Sequence, residues 1–222
     1  MNTQWKVSLD ESRIQRSSRT LQAYLWMKRL MDVVLVSIGI ILLMPIFVMI
    51  ALLIKLDDPK GVVFFYQMRS GKDGKPFRMY KFRSMVANAE ELLAGLIDKN
   101  EVQGHMFKMK DDPRITRIGK FIRKTSLDEL PQLLNVLRGE MSLVGPRPPL
   151  LMEVKHYSSY HMQRLRVIPG CTGLWQISGR SNLNFEQMIE LDLRYISERS
   201  LFLDMKIILK TFRALLGAKG AF

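Results

Sequence analysis

The apolar positions of this chain fall into one long block followed by short periodic ones. Residues 33–54, VVLVSIGIILLMPIFVMIALLI, pass without a charge. As a straight helix these 22 residues would rise about 33 Å, enough to cross a bilayer. Pro45 lies near the middle, removes a backbone donor and predicts a helix kinked or broken there. Beyond Asp57, Asp58 and Pro59 the pattern shortens, and residues 62–67 and 76–82 read as two strands around a turn carrying Lys72, Asp73 and Gly74. Residues 86–97 read as helix. Ile115, Ile118, Phe121 and Ile122 then recur at helical spacing, with Arg114, Arg117, Lys120, Arg123 and Lys124 largely on the opposite side. Such a basic amphipathic helix suits an anionic membrane surface. Near the C-terminus, LFLDMKIILKTFRALL carries Lys206, Lys210 and Arg213 as a narrow polar stripe, and its wide apolar face fits core packing and interfacial burial equally well. Between these helices, GPRP at 145–148 and PGCTGLWQISGR at 169–180 are rich in turn residues. They read as structural turns or as loops that present arginine to phosphate.

Charge decides which way the apolar block goes. Residues 1–29 carry six Lys/Arg against two acids, and residues 55–222 carry 28 against 18. Lys28 and Arg29 stand before the block, and Lys55 and Lys60 after it. Because basic flanks stay in the cytoplasm, a helix that enters and leaves on one face is favoured over a spanning one. The block is too long and too far from the start for a signal peptide, and no small-residue cleavage site follows it. The expected organisation is an N-terminal extension over 1–27, a re-entrant membrane helix over 28–56 broken at Pro45, and a cytosolic, membrane-associated domain over 57–222. The fold class is α+β and mostly helical, with interfacial amphipathic helices and a short β-hairpin.

The 222 residues suffice for one ordinary core, and the net charge of +13 calls for a polyanionic partner: nucleic acid, an anionic membrane or phosphorylated substrates. Nucleic acid is disfavoured, since the aromatic residues do not interleave with the basic ones as stacking platforms require. The single cysteine, Cys171, excludes an intramolecular disulfide and a cysteine zinc cage, and reads as a small buried residue in a chain facing a reducing cytoplasm.

Against this basic background Asp128 and Glu129 stand side by side. Ser126, Leu127, Asp128 and Glu129 fit a capping box, in which serine and glutamate satisfy free backbone donors reciprocally. Negative charge in a first helical turn also suits the helix dipole. Pro131 complicates that reading, because with Ser126 as cap it falls at the fifth helical position; Asp128 is then a competing cap. A chemical role for the two carboxylates remains beside the structural one. A non-catalytic membrane scaffold would need no such pair.

The order of QMRSG, YKFRSM, SLDELPQLLNVLRGEMSLVGPRP, PGCTGLWQISGR and LDLRYI…LDMKIILKT, behind a proline-interrupted apolar helix, resembles the bacterial sugar transferase family. These are the monotopic phosphoglycosyl transferases, and the chain looks like their minimal catalytic form. The resemblance implies transfer of a sugar-1-phosphate from a UDP-sugar to undecaprenyl phosphate, with release of UMP, at the cytoplasmic face of the bacterial inner membrane. This would be the first membrane step in assembling an exopolysaccharide or other glycoconjugate. GLWQISGR looks more like the members that take glucose or galactose than those that take N-acetylhexosamines. The resemblance makes Asp128 the nucleophile and a ligand of magnesium, Glu129 its carboxylate partner, and Arg123, Arg147 and Lys81 substrate-binding residues; Arg180 is a weaker member of that set. One departure is Met44, where the family commonly has serine before the helix-breaking proline.

Overall fold

The computed structural model describes residues 18–96, 109, 111–179 and 183–216. The chain opens on α1 (Ser18–Asp57), which carries the whole apolar block. A hairpin follows, β1 (Phe64–Ser70) and β2 (Pro76–Phe82), antiparallel with Phe64 opposite Phe82 and Ser70 opposite Pro76. Its turn is a short 3-10 segment in which Asp73 and Gly74 take positive φ, as the sequence around Lys72, Asp73 and Gly74 leads one to expect. The helix read at 86–97 is a single turn, α2 (Ala89–Leu93). Next come α3 (Arg117–Lys124), a 3-10 turn over Leu127–Glu129, α4 (Gln132–Arg138), β3 (Ser142–Val144) and α5 (Leu151–Val154). A 3-10 stretch over His161–Arg166 leads to β4 (Gly170–Thr172), and α6 (Phe185–Glu198) and α7 (Leu201–Leu216) close the fold.

The fold is mostly helical with a small antiparallel hairpin, as expected, but α1 is not broken. Helix runs without interruption through Pro45, which is exposed. Proline removes one hydrogen bond and costs about 3 kcal/mol in a helix interior. Packing on both sides offsets that cost. Val36 and Ile40 before the proline, and Ile46, Phe47 and Ile50 after it, lie against the rest of the fold. The buried side of α1 is one stripe through Tyr24, Lys28, Asp32, Val36, Ile50 and Ile54. The opposite side, including Trp26, Leu30, Ile41, Leu42, Leu52 and Leu56, is exposed and apolar.

Among the described residues three apolar clusters make the core, and α1 contributes to two of them. Val36 packs with Phe77, Met79, Val136 and Met141, and Ile50 and Ile54 pack with Phe82 and Ile122. The third joins Val144, Tyr195 and Ile207. Polar contacts fasten the first turns of α1: Lys28 and Tyr24 each reach Asp204 at 3.0 Å, and Asp32 accepts from Ser142 Oγ at 2.7 Å.

The two turn-rich stretches turn out to be paired. β3 and β4 form a short parallel ladder, with Ser142 opposite Gly170 and Val144 opposite Thr172. A Cβ on Gly170 would stand 2.0 Å from the Gly145 nitrogen, so only glycine permits this backbone approach. The basic helix is shorter than its pattern. Ile115 bridges to Met85 ahead of α3, Ile122 is fully buried, and Phe121 is half exposed.

Candidate active site

The acidic pair lies where α3 hands over to α4. The start of α3 is held by Thr116, whose hydroxyl accepts from Gly119 N at 2.9 Å, and by Asp57 at the end of α1, which accepts from Ile118 N at 3.2 Å. Gly119 lets the helix sit directly on the backbone of Ser84, just past β2; a Cβ there would meet the Ser84 carbonyl oxygen at 2.0 Å. That approach lets Arg123 Nε donate to Ser84 Oγ at 2.8 Å.

Past α3 the chain reverses at Ser126, which takes a left-handed conformation (φ 57) that costs a non-glycine residue roughly 1–2 kcal/mol. Ser126 makes no side-chain capping bond, so the expected capping box is absent. The reason is geometric: an N-cap serine needs an extended backbone to aim its oxygen at the following N–H groups. Pro131 lies at the cap position of α4, ahead of that helix rather than inside it. The two carboxylates are thereby left out of the expected capping box, and the strained backbone at Ser126 stands two residues before Asp128.

Their partners are cations. Lys81 on β2 donates to Glu129 Oε1 at 2.8 Å and stands 3.7 Å from Asp128 Oδ2. Arg147 Nη1, from GPRP, is 3.9 Å from the same Glu129 oxygen. Asn135 holds this part of β2 in place: it accepts from Tyr80 N at 3.0 Å and donates to the Arg78 carbonyl at 2.7 Å. Asp128 is 8% exposed. Burial pushes its carboxyl above the ordinary aspartate value, Lys81 and Arg123 pull it down, and Glu129 pushes it up again. Burial would raise Glu129 too, but Lys81, then Arg147 and Arg69, outweigh it and bring that carboxyl down to about 2. The two neighbours thus differ: Glu129 is a fixed anion that holds the lysine, and Asp128 is a shielded carboxylate whose charge is sustained less strongly.

The structure therefore brings together Asp128, Glu129, Lys81, Arg123 and Arg147. Arg180 lies outside the described residues. Among the described residues no cluster of three or more His, Cys, Asp or Glu side chains forms a ready metal cage. Two adjacent carboxylates with no nitrogen or sulfur donor are a hard-oxygen set, suited to magnesium when substrate phosphates and water supply the remaining ligands.

Sequence reasoning missed Arg69. An arginine at a strand edge reads as solvated, yet it is 9% exposed, donates to the Pro148 carbonyl at 3.1 Å and adds to the positive field on Glu129. Its own strand hides this, because Phe64, Tyr66 and Met68 make the alternate set the apolar one; only the pairing of Arg69 opposite buried Phe77 on β2 turns it to the core. Arg164 and Asp192 were missed as well, a buried ion pair beneath GPRP with no local pattern to reveal it.

A family model described as bacterial sugar transferase matches residues 23–218. The chain is 48% identical over 200 residues to the galactosyl transferase CpsE of Streptococcus agalactiae, covering 90% of this chain and 44% of that protein. It is 42% identical over 212 residues to the undecaprenyl-phosphate galactose phosphotransferase of Salmonella typhimurium, covering 94% and 43%. It is also 41% identical over 199 residues to the exopolysaccharide production protein ExoY of Rhizobium meliloti, covering 88% of each. The chain thus spans less than half the length of the first two relatives and most of the third. With the matched region taking in α1 from residue 23 onward, the acidic pair and the cations around it, the chain belongs to the bacterial sugar transferase family.

Proposed function

We propose that the protein transfers a hexose-1-phosphate from a UDP-hexose to undecaprenyl phosphate in two displacements. An Asp128 carboxylate oxygen attacks the β-phosphorus, the bond from that phosphorus to the bridging oxygen breaks, and UMP leaves with the bonding pair. The sugar phosphate remains on Asp128 as an acyl phosphate. A phosphate oxygen of undecaprenyl phosphate then attacks the same phosphorus, which restores the carboxylate and forms the lipid diphosphate sugar. Each step gathers several negative charges, and Lys81, Arg123 and Arg147 are the groups that offset them. Asp128 and Glu129 are the residues that would hold magnesium, which when bound supplies further charge neutralisation on the diphosphate. Galactose is the first donor to test, since two of the relatives are named for it.

The observation that carries this reading is the division of labour in the pair. Glu129 takes the close contact with Lys81 at 2.8 Å, which leaves Asp128, buried and 3.7 Å from the same ammonium, as the carboxylate available for attack. Wild-type protein mixed with magnesium and UDP-galactose labelled in the sugar, with no lipid acceptor, is expected to retain label and release up to one UMP per site. Asp128→Asn, folded as wild type, is expected to do neither. An Asp128→Asn protein that still turns over would remove the covalent scheme.

The same proposal includes a monotopic placement on the cytoplasmic face of the bacterial inner membrane, and the packing of α1 supports the one-sided part of it. From Tyr24 to Ile54 its buried stripe lies against the rest of the fold, about 45 Å of helix, which exceeds the roughly 30 Å of a hydrocarbon core. A perpendicular span would drag the charged site into lipid, where such groups cost several kcal/mol each. A helix that stays with its domain on one face of the membrane avoids this.

A further inference from the structure

Four consecutive carbonyls of the loop that carries Arg147 are each held from a different direction. Pro146 O accepts from Gly170 N at 2.9 Å and Pro149 O from Ser70 N at 2.9 Å. Arg147 O accepts from Arg164 Nη2 at 3.1 Å, and Pro148 O from Arg69 Nη1 at 3.1 Å. Three of these four residues are prolines without an N–H, so carbonyl bonds are the main polar means of fixing this backbone. Arg164 is itself clamped. It is 7% exposed, its Nη2 pairs with fully buried Asp192 at 2.5 Å, and its Nη1 donates to Tyr157 OH at 2.8 Å.

A buried ion pair is poor value for stability alone, because desolvating two charges costs about what their attraction returns. What a guanidinium adds is direction: its donors lie in a rigid plane, so fixing two of them aims the others. Here the aim falls on the carbonyl of the residue whose side chain reaches toward Glu129. On the strength of the reaction proposed above, we infer that Arg164, oriented by Asp192 and Tyr157, is a positioning residue that sets Arg147 against the diphosphate of the sugar donor. It touches neither carboxylate of the pair.

The test is a double-mutant cycle. UMP release from UDP-galactose is measured for wild type, Arg147→Ala, Arg164→Lys and the double variant, with UDP affinity measured on the same four proteins by calorimetry. Lysine keeps the charge and loses the fork. Misplacing Arg147 by about an ångström predicts a loss of order 10- to 100-fold for Arg164→Lys. In the Arg147→Ala background the same change is expected to cost almost nothing, because there is no longer a guanidinium to position. Equal losses in both backgrounds, or none in either, would overturn the inference. Should Arg164→Lys fail to fold, Tyr157→Phe runs the same cycle with a smaller expected loss and the same dependence on Arg147. If wild type releases no UMP from any UDP-hexose, the proposed reaction fails, and the cycle in UDP affinity decides the positioning claim by itself. No affinity for UDP in wild type overturns both.

Discussion

Gly119→Ala is the most demanding test of how the fold places the acidic pair. The added Cβ would lie 2.0 Å from the Ser84 carbonyl oxygen and 2.8 Å from its carbonyl carbon, both backbone atoms that no rotamer change can move. Ordinary contact begins at 3.4 Å, so α3 must retreat by about 1.4 Å or the strand end must shift by as much. Such a retreat breaks the Arg123–Ser84 bond of 2.8 Å and the bond from Thr116 N to Ser84 O of 3.1 Å. Overpacking costs about 1–3 kcal/mol and each lost hydrogen bond about 1, while alanine returns about 1 in helix propensity. A net loss of about 2–4 kcal/mol lowers the melting temperature of a chain this size by roughly 4–16 °C. Asp128 follows α3 directly, so UMP release is expected to fall about 100-fold in the protein that remains folded. Gly39→Ala is the internal control: nothing lies within 4 Å of its Cβ, so it is expected to leave melting and activity unchanged or slightly improved. The two variants are compared in detergent by thermal melting and single-turnover UMP release. A Gly119→Ala protein that melts within about 1 °C of wild type and reacts at a comparable rate would refute the close-approach argument.

Two further outcomes follow from the charges and from α1. In the proposed reaction the deprotonated Asp128 is the attacking form, and its carboxyl is raised, so the acid limb of single-turnover UMP release is expected above the ordinary aspartate value of about 3.9. Lys81→Met removes a lowering influence and should move that limb up, whereas Glu129→Gln removes a raising one and should move it down; limbs that stay put in both would show that another group sets them. For topology, cysteines placed at exposed Gln22 and Lys60 in a Cys171→Ala background should both be protected from an impermeant thiol reagent in intact spheroplasts and both react after lysis. Labelling of Gln22 alone from outside would mean that α1 spans.

Where the sequence was informative, the forces were local. The bounds of β2 were read to the residue, because alternation and a turn with positive φ at Asp73 and Gly74 leave little choice of register. The acidic pair was visible as two adjacent carboxylates in a basic chain. What escaped depended on distant partners. β3 and β4 are three residues each, too short to show a period, and their pairing rests on the mutual approach of Gly145 and Gly170, which looks in sequence like two unrelated turns. Pro45 was expected to break α1, and contacts on both flanks of the proline held the helix instead. The capping box failed at Ser126 because a left-handed backbone turns the serine away from the N–H groups its spacing promised.

The apolar helix grips both helices that flank the acidic pair. At its C-terminal end Asp57 accepts from Ile118 N and so caps α3. Near its N-terminal end Arg29 donates to the carbonyls of Val136 and Leu137 in the last turn of α4. Asp128 and Glu129 sit between the far ends of those two helices, where α3 ends and α4 begins. On the proposed membrane placement, any change in how α1 lies in lipid would be felt at both sides of the pair at once. Burial of Val36, Ile50 and Ile54 in the same clusters as Val136, Phe82 and Ile122 makes that grip stiff, since a packed cluster yields less readily than a tether. On the proposed function, the depth at which a lipid phosphate would meet the carboxylates is then set by α1, which suits a site whose two substrates would arrive from water and from membrane.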